Sequence, residues 1–469
     1  MKLSILSTLS ALISLTYLLK TEGAGLRASP NKKIESDTTR ALETENSKFI
    51  ECVVFENDGV SLPEQDELPQ SLLCEEDYEE DTFGGTMYSL VGETASFFQE
   101  VNLDNGDVQI RFPEELVNLH DEVHFNEGTV SQITITFTGN DRRRKLVSLP
   151  SKGTMRLLII AVGVPQSAYQ IAVDTFGKNN RNLRNIYKNC SGNQLKINPS
   201  QVKGAVHGVL TIPPPANVCS YNYVKLSNYA KYHSKAMAAY GTATIDHYMF
   251  VLPNDNCVNF RGGQAWGEIG GRTTWVQANS QAFPIVQVHE VGHNMGFQHS
   301  ATLTNSYGDG TDYMSNKAVW DKEGNKMCFN GAKLWYFNWY PNDNQLVRAT
   351  TSTQTFKVVP LADVRKNRRI SGGKLVLSVR STSAHLFIWF NRAKQVNSGV
   401  THDRNKVVVN MQSGKSMSSH KLSALSGGQT YTYHNFENGK TLYIKVNSIN
   451  YSSNPYVAGD QASVSIWLG

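Results

Sequence analysis

The chain has 469 residues, with 45 Lys and Arg, 41 Asp and Glu, and 6 cysteines. This length predicts two or three domains, and an even number of cysteines is typical of a protein that forms disulfides in an oxidising compartment. No segment beyond the N-terminus is apolar enough to span a bilayer, and no nucleic-acid-binding motif is present. The composition therefore argues against an integral membrane protein and against a nucleic-acid-binding protein.

The first residues have the pattern of a secretory signal. Lys2 precedes an apolar run from Leu3 to Leu19, and small residues at 23–25 suit cleavage. We therefore predict a signal peptide over residues 1–22 and a secreted, extracellular protein with no membrane partner after signal removal. A signal anchor is the alternative, because the apolar run is slightly long for a signal peptide.

The charge is divided unequally along the chain. Residues 21–141 carry 6 Lys and Arg against 27 Asp and Glu, whereas residues 142–469 carry 37 against 14. The junction is a basic run, Arg142–Lys145, that suits processing proteases. We predict an acidic propeptide over residues 23–145, attracted to the basic remainder by its charge, and hence a zymogen. An acidic domain that stays attached is the alternative.

The predicted propeptide has two parts of different composition. Residues 26–82 are polar and acidic, which indicates disorder over much of this stretch. Further on, the alternation of apolar and polar residues at Asp107–Phe112 and Ser131–Phe137 predicts a small β-rich unit.

Residues 146–345 combine strand and helix patterns and predict an α+β catalytic domain. The apolar run Arg156–Val164 predicts a buried strand, and His247–Leu252 predicts a central strand. Further predicted elements are helices at Ala168–Phe176 and Tyr223–Tyr240 and a strand at Ala205–Ile212.

Residues 289–299 fill every fixed position of the pattern H-E-x-x-H-x-x-G-x-x-H. On a helix, His289 and His293 project from one face because they are four residues apart. Gly296 permits a sharp turn at positive φ, which brings His299 back as a third ligand. Three protein ligands leave one tetrahedral position open, as in catalytic zinc sites, so Zn is the predicted cofactor.

Glu290 lies beside the first ligand and is the predicted catalytic base. Zinc lowers the pKa of its bound water, and Glu290 would take the proton of that zinc-bound water as it attacks a peptide carbonyl. The motif thus predicts a zinc-dependent peptidase. A histidine-rich helix end without metal is the alternative, but a chance match to five fixed positions is rare.

The stretch from Tyr307 to Ser315 is rich in Gly and Asp, which predicts a turn-dense loop. In metzincins the extended zinc motif is associated with a methionine-containing turn beneath the metal, and Met314 is the candidate here. We expect Met314 and Gly296 to support the site without binding the metal. Tyr307 and Tyr313 are both candidates for stabilising the oxyanion.

After Arg348 the pattern changes to short β-prone runs separated by Gly, Ser and Asn turns. Seven such runs predict an all-β, sandwich-like C-terminal domain over residues 346–469, which serves either wall binding or packing against the catalytic domain. The predicted strands are Phe356–Val359, Lys374–Arg380, His385–Asn391, Lys406–Met411, Thr430–His434, Thr441–Val446 and Ala462–Trp467.

Four blocks of the chain together resemble the gametolysin-like metalloproteases of the metzincin group, over roughly residues 155–469. The resemblance implies a secreted zinc endopeptidase acting on extracellular-matrix or cell-wall proteins, with His289, His293 and His299 as zinc ligands and Glu290 as base. In metzincins an edge strand before the zinc helix binds the substrate, and that role is expected within Ala265–Thr274. The blocks are the zinc motif, Tyr307–Met314, Met327–Lys333 and Phe387–Lys394.

The cysteines are evenly divided by the basic run. Cys52 and Cys74 precede it, and we expect them to form a disulfide, so that steric occlusion or a carboxylate rather than a thiolate blocks the zinc. The pairing of the other four is open among three possibilities. They are Cys190, Cys219, Cys257 and Cys328.

The expected partners are extracellular. Residues 146–469 carry 33 Lys and Arg against 14 Asp and Glu, which adds acidic polysaccharides to the protein substrates as a predicted class of partner. Sequons at Asn189 and Asn450 predict a glycoprotein. Two other functions stay open, a zinc-bearing wall adhesin and a structural wall glycoprotein, and the intact Glu290 argues against the adhesin.

Overall fold

The computed structural model describes the backbone of strands between Phe49 and Phe137 and most of the chain from residue 151 onward. The predicted signal peptide, the basic run at Arg142–Lys145 and the predicted helix at Tyr223–Tyr240 lie outside the described residues. In the second part the described ranges are 151–178, 181–202, 204–213, 245–253, 265–267, 269–315, 326–365, 370–381, 384–412 and 418–469.

A first sheet is built from six strands of the acidic segment. They are β1 (Phe49–Asn57), β2 (Ser71–Glu76), β3 (Met87–Val91), β4 (Val108–Pro113), β5 (Glu122–His124) and β6 (Thr134–Phe137). Their order is β5-β3-β2-β1-β4-β6. β4 and β6 correspond to the two runs that alternation predicted, whereas β1 and β2 lie in the stretch whose acidic composition indicated disorder.

A second sheet forms the centre of the predicted catalytic part. Its strands are β7 (Gly153–Val162), β8 (Leu195–Pro199), β9 (Val209–Ile212), β10 (His247–Leu252), β11 (Ala265–Gly267) and β12 (Thr273–Gln277). The order is β11-β12-β10-β7-β8, with β9 paired to the second half of β7. All of these pairings are parallel except that of β11 with β12. β10 is buried along its whole length, because both faces of this sheet are covered.

Four helices accompany this sheet in the part of the chain that the structure describes. They are α1 (Ala168–Phe176), α2 (Leu183–Cys190), α3 (Ala278–Gln281) and α4 (Pro284–Asn294). Side chains of Ser167 and Asn182 accept hydrogen bonds from the first turns of α1 and α2, which fixes where each helix begins. Apolar residues of α1, α2 and α4 share a core with one face of β7, including Leu157 and Ile159. The helix α1 has the bounds that the sequence predicted, whereas α2 was not predicted.

Two more sheets follow the helix α4. Their strands are β13 (Ser300–Thr302), β14 (Asn344–Val347), β15 (Gln354–Val358), β16 (Gly373–Lys374), β17 (Val376–Arg380), β18 (His385–Asn391), β19 (Lys406–Gln412), β20 (Ser419–Leu425), β21 (Thr430–Glu437), β22 (Lys440–Asn450) and β23 (Gln461–Leu468), with short helices α5 (Gly331–Phe337) and α6 (Leu361–Arg365). One sheet has the order β13-β20-β19-β18-β17-β14 and the other β16-β15-β23-β22-β21.

The strand β18 shows how these two sheets are packed. Leu386, Ile388 and Phe390 belong to a core shared with β22 and β23 of the other sheet. The alternate residues Phe387 and Trp389 belong instead to the core that contains the helix α4. Because strand side chains alternate between faces, one sheet is packed between the second C-terminal sheet and the core that contains α4.

The strand β13 joins the two regions directly. It follows His299 in the chain and pairs in parallel with β20, with Ser300 opposite Ser419. The sequence assigned these strands to separate domains over residues 146–345 and 346–469, and that boundary stays a prediction. The architecture is mixed α/β, with many strands and few helices. Among the described helices, none combines the length and the apolar character needed to cross a bilayer.

Candidate metal site

The helix α4 carries the first two histidines of the motif. Pro284 occupies its first turn, where a missing backbone N–H costs nothing. All eleven residues of the helix are buried, with Val288 and Val291 in the core shared with β7. The rings of His289 and His293, one turn apart, have centroids separated by 4.7 Å.

A buried polar chain ties the end of α4 to the central sheet. Thr274 Oγ1 donates to Asn294 Oδ1 at 2.5 Å, and Asn294 Nδ2 donates to the carbonyl oxygen of Thr273 at 2.7 Å. His247 Nε2 lies 3.2 Å from the same Thr274 hydroxyl. Burial, helped by the charge of Arg272, lowers the pKa of His247 to about 3, so this ring is neutral at physiological pH.

The turn after α4 returns the chain toward the helix. Gly296 has a φ of 91°, a conformation that side-chain-bearing residues rarely adopt, and its N–H donates to the carbonyl oxygen of His293 at 2.7 Å. The ring of His299 then lies 5.1 Å from that of His293 and 5.4 Å from that of His289, measured between centroids. The turn therefore brings the third histidine to the first two.

The three histidines form a group that could hold a metal ion. One ligand atom from each ring lies within 4.8 Å of the others. His289 Nδ1 donates to the carbonyl oxygen of Tyr313 at 2.8 Å, and His293 Nδ1 donates to that of Phe297 at 2.7 Å. These bonds fix the tautomer and leave the Nε2 lone pairs as ligands, which is how metal-binding histidines are usually oriented.

Burial also suits the rings to a metal. It lowers the pKa of His289 to about 4, against the opposing hydrogen bond to Tyr313. Burial and the neighbouring histidines lower the pKa of His293 and of His299 well below the usual value. All three rings are therefore neutral at pH 7, the state in which imidazole binds metal. The donor set fits zinc.

Glu290 is fully buried in α4, one residue after the first histidine. The strand β11 passes directly against the helix here, because a Cβ on Gly267 would lie 2.4 Å from the carbonyl oxygen of Glu290. β11 falls within the predicted substrate segment Ala265–Thr274 and is the last strand in the order of its sheet.

Met314 is fully buried beneath α4. A Cβ on Gly292 would lie 2.4 Å from Met314 Sδ, so only glycine leaves room for the methionine at this position. The amide of Ser300 donates to the carbonyl oxygen of Met314 at 2.7 Å. Met314 thus packs between α4 and the strand that follows His299.

The structure distinguishes the environments of Tyr307 and Tyr313, which the sequence left as equal candidates for stabilising the oxyanion. The ring of Tyr307 lies 3.8 Å from that of His299 between centroids, and its side chain is only partly buried. Tyr313 is fully buried, and its hydroxyl accepts a hydrogen bond from the amide of Met327 at 3.4 Å. Burial raises the pKa of Tyr313. Its side chain therefore belongs to the packed interior, whereas Tyr307 packs against a histidine of the site.

Sequence reasoning missed a buried polar cluster beside the site. Asp312 Oδ1 accepts from the amide of Met314 at 2.6 Å, and Asp312 Oδ2 accepts from the amide of Asn330 at 2.7 Å. Asp309 and Lys333 lie in the same cluster and are also fully buried. The only signal was the acidic character of the loop, which was attributed to turns.

A disulfide joins Cys190 at the end of α2 to Cys328, which precedes α5. It connects positions 138 residues apart and settles the pairing of two of the four later cysteines. Cys219 and Cys257 lie outside the described residues.

The comparisons with known proteins agree with the site. A family model described as Gametolysin peptidase M11 matches residues 160–419. No curated protein matches the chain. The matched region is more than half of the 469 residues and includes the histidine motif, the loop of Met314 and the strands β17–β19. The chain belongs to the gametolysin family of metallopeptidases, peptidase family M11.

Proposed function

We propose that the protein is a secreted, zinc-dependent endopeptidase, made as a zymogen, that hydrolyses peptide bonds of extracellular-matrix or cell-wall glycoproteins. The observation that carries the proposal is the convergence of His289, His293 and His299, with Glu290 in the same helix, in a chain of a peptidase family. The three histidines are the proposed zinc ligands and Glu290 is the proposed base.

The chemistry assigned to the chain follows from these roles. Zinc, when bound, lowers the pKa of a coordinated water and polarises the peptide carbonyl. Glu290 takes a proton from the attacking water as its oxygen bonds to the carbonyl carbon, and delivers that proton to the nitrogen as the C–N bond breaks. The burial of Glu290 keeps bulk water away from this transfer.

Tyr307 is the proposed oxyanion-stabilising residue, because its ring packs on His299 whereas Tyr313 is buried against Met327. Replacement of Tyr307 by Phe should lower kcat about 10- to 100-fold with little change in KM, as for removal of one transition-state hydrogen bond. Tyr313→Phe should leave kcat nearly unchanged, and steady-state kinetics on one peptide substrate compare the two. Equal kcat for Tyr307→Phe and the wild type would contradict this role.

The strand β11 is the proposed substrate-binding edge. Its position at the end of the sheet and against the backbone of Glu290 supports this, since an extended peptide pairs with a sheet edge through main-chain hydrogen bonds. The same arrangement supports a metzincin-like catalytic part. The two C-terminal sheets over one shared core support a sandwich-like second part.

Secretion and activation are proposed from the sequence. The signal-like N-terminus, the acidic segment 23–145 and the basic run Arg142–Lys145 support them. A disulfide between Cys52 and Cys74 stays part of the proposal, because it would leave neither thiol free to bind the zinc. Steric occlusion or a carboxylate is therefore the proposed block of the zinc in the zymogen.

The surface suggests two further features of the extracellular protein. The excess of Lys and Arg in residues 146–469 supports binding of acidic polysaccharides. Of the two sequons, Asn450 is exposed at the end of β22, while the Asn189 side chain accepts a hydrogen bond from Arg365 at 2.8 Å. Asn450 is the proposed glycan site.

The decisive experiment is digestion of casein, gelatin and fractionated wall proteins by the processed protein, with and without a zinc chelator. We expect proteolysis that the chelator abolishes and zinc restores. Glu290→Gln should retain zinc and lose turnover by about 10²- to 10⁴-fold. Stoichiometric zinc without proteolysis in the wild type would favour the adhesin instead, and proteolysis that survives metal removal would refute the proposal.

A further inference from the structure

Lys333 is a fully buried cation with no part in the chemistry described above. It lies in the first turns of α5, and its backbone N–H donates to the side chain of Asn330, which caps that helix. Burying an ammonium group is costly unless it is paired and hydrogen-bonded. Its contacts therefore show which part of the molecule depends on it.

The ammonium of Lys333 contacts two serines and one carboxylate. Nζ donates to Ser300 Oγ and, at 3.0 Å, to Ser419 Oγ, and it lies 3.8 Å from Asp312 Oδ2. It also lies 5.8 Å from the centre of the Phe297 ring. These four residues come from the turn after α4, the strand β13, the loop of Met314 and the C-terminal strand β20.

Two of these contacts lie next to the second and third histidines. Ser300 directly follows His299 in the chain. Phe297 provides the carbonyl oxygen that accepts from His293 Nδ1 at 2.7 Å. A displacement of Lys333 would therefore remove a contact from Ser300 and from Phe297, which border the rings of His299 and His293.

A third contact reaches the first histidine through the loop. Asp312 holds the amide of Met314, and the residue between them, Tyr313, supplies the carbonyl oxygen bonded to His289 Nδ1 at 2.8 Å. The Lys333–Asp312 pair thus fixes the peptide that orients His289.

The fourth contact belongs to the C-terminal sheet. Ser419 pairs with Ser300 across β13 and β20, and its backbone N–H lies 3.4 Å from the carbonyl oxygen of His299, to which it donates. Its hydroxyl accepts from Lys333 and, at 2.9 Å, from Asn330 Nδ2. One residue of the C-terminal sheet therefore contacts both the third histidine and the buried cation.

We propose that Lys333 is a positioning residue that holds all three histidines in metal-binding geometry, and that its contact with Ser419 of the strand β20 makes the C-terminal sheet part of the metal centre. This proposal rests on the proposed function for the identity of the metal as zinc. A role limited to stability is the competing explanation, and a second buried lysine in the same chain separates the two.

Lys394 provides the matched control. It is also fully buried, and its ammonium pairs with Asp363 at 2.8 Å and with Asp460 at 3.3 Å. None of its described contacts involves a residue that borders a histidine of the site. Lys394→Met removes an equally buried charge without touching the metal centre.

The test measures zinc affinity of the full chain by competition with a chelator, together with the ligand-field absorption of the Co²⁺-loaded protein. Lys333→Met should weaken zinc binding about 10- to 100-fold and alter the Co²⁺ spectrum, as for loss of outer hydrogen-bond partners of metal ligands. Lys394→Met should leave both readouts unchanged, whatever it does to stability. A Lys394→Met variant that weakened zinc equally would overturn the proposal.

Ser419→Ala is the second variant, since it removes one acceptor of the ammonium and keeps the charge. It should weaken zinc binding toward the lower end of the same range, and it decides the question alone if Lys333→Met does not fold. If the wild type binds zinc and Ser419→Ala binds it with the same affinity, the proposal is overturned. A wild type that binds no zinc would instead overturn the proposed function.

Discussion

The two halves of the histidine site are held by different sheets. His289 and His293 lie in α4, which contacts the central sheet through Asn294 and Thr274. His299 is followed by β13, which belongs to a C-terminal sheet. The helical half is thus supported within the catalytic part, and the loop half is supported by residues more than a hundred positions later in the chain.

This difference concerns how each ligand obtains its position. A helix sets two residues four apart on one face without help from distant residues. A ligand that follows a turn has no such constraint, so its strand must be held by tertiary contacts. We expect changes at the helical half to act through local packing, and changes at the loop half to act through the C-terminal sheet.

Asp309→Asn is expected to have the largest effect on stability, because it breaks the buried connection of the loop half. The Asp309 carboxylate accepts from Thr311, from Asn330 at 3.1 Å and from Asn410 of β19 at 2.9 Å, and lies 3.8 Å from Lys421. An amide at this position would place an N–H donor against the N–H donors of Asn330 and Asn410. The ammonium of Lys421 would also lose one negatively charged partner. We expect unfolding in urea to show a loss of about 3–5 kcal/mol.

Asp403→Asn is the control for this change. Asp403 pairs with the same Lys421 at 2.8 Å but is partly exposed. Its loss should cost about 1 kcal/mol or less. Similar losses for the two variants would mean that the buried connection between the loop and β19 contributes little.

Gly292→Ala tests the packing of the helical half, with a smaller expected effect. The new Cβ would lie 2.4 Å from the sulfur of the buried Met314. Such overpacking costs about 1–3 kcal/mol, which outweighs the roughly 1 kcal/mol that alanine gains over glycine in a helix. In a Met314→Ala background the same substitution should become stabilising. Thermal unfolding of the four proteins measures this, and a stabilising Gly292→Ala with Met314 intact would contradict the packing argument.

The smallest effect on stability at neutral pH is expected from replacement of His247, whose buried ring lies behind α4. Its folded pKa of about 3 lies below the unfolded value of 6.5, so below pH 6.5 the unfolded chain binds a proton that the folded chain does not. Stability is therefore full above pH 6.5 and falls toward pH 3, by up to roughly 1.4 kcal/mol per pH unit.

His247→Gln should reduce that slope between pH 6 and pH 4 and should not change it above pH 7, as urea unfolding at each pH would show. Replacement of the exposed His434 by Gln is the matched control and should leave the slope as it is. An unchanged slope in His247→Gln would show that other groups control the acid sensitivity.

Much of the secondary structure follows from local pattern. The bounds of α1, β10 and β18 are those that periodicity predicted, because each has a continuous apolar face or a fully buried run. The strand β20 was not predicted. Its sequence from Ser419 to Leu425 contains His and Lys and is largely half-buried, so it lacks the alternation that marks a strand. It is a strand because β19 and β13 pair with it.

The candidate site likewise contains features that local spacing predicted and features that only tertiary contacts decided. The sequence indicated the three histidines, Glu290 and Met314, since their spacing is itself the signal. It left Tyr307 and Tyr313 equivalent and three cysteine pairings open, because nothing in local spacing distinguishes them. Packing against His299 and Met327 separates the tyrosines, and the disulfide of Cys190 with Cys328 removes two pairings.

By itself, the sequence indicated the family of this protein and the residues of its candidate metal site. The zinc motif, the glycine turn and the methionine loop depend on steric and periodic rules that act within a few residues. Tertiary structure alone decided that Lys333 lies beneath the histidines and that Ser419 pairs with Ser300, 119 positions away. Such contacts depend on which faces pack together once the chain has folded, because a buried charge is stable only where distant partners meet it.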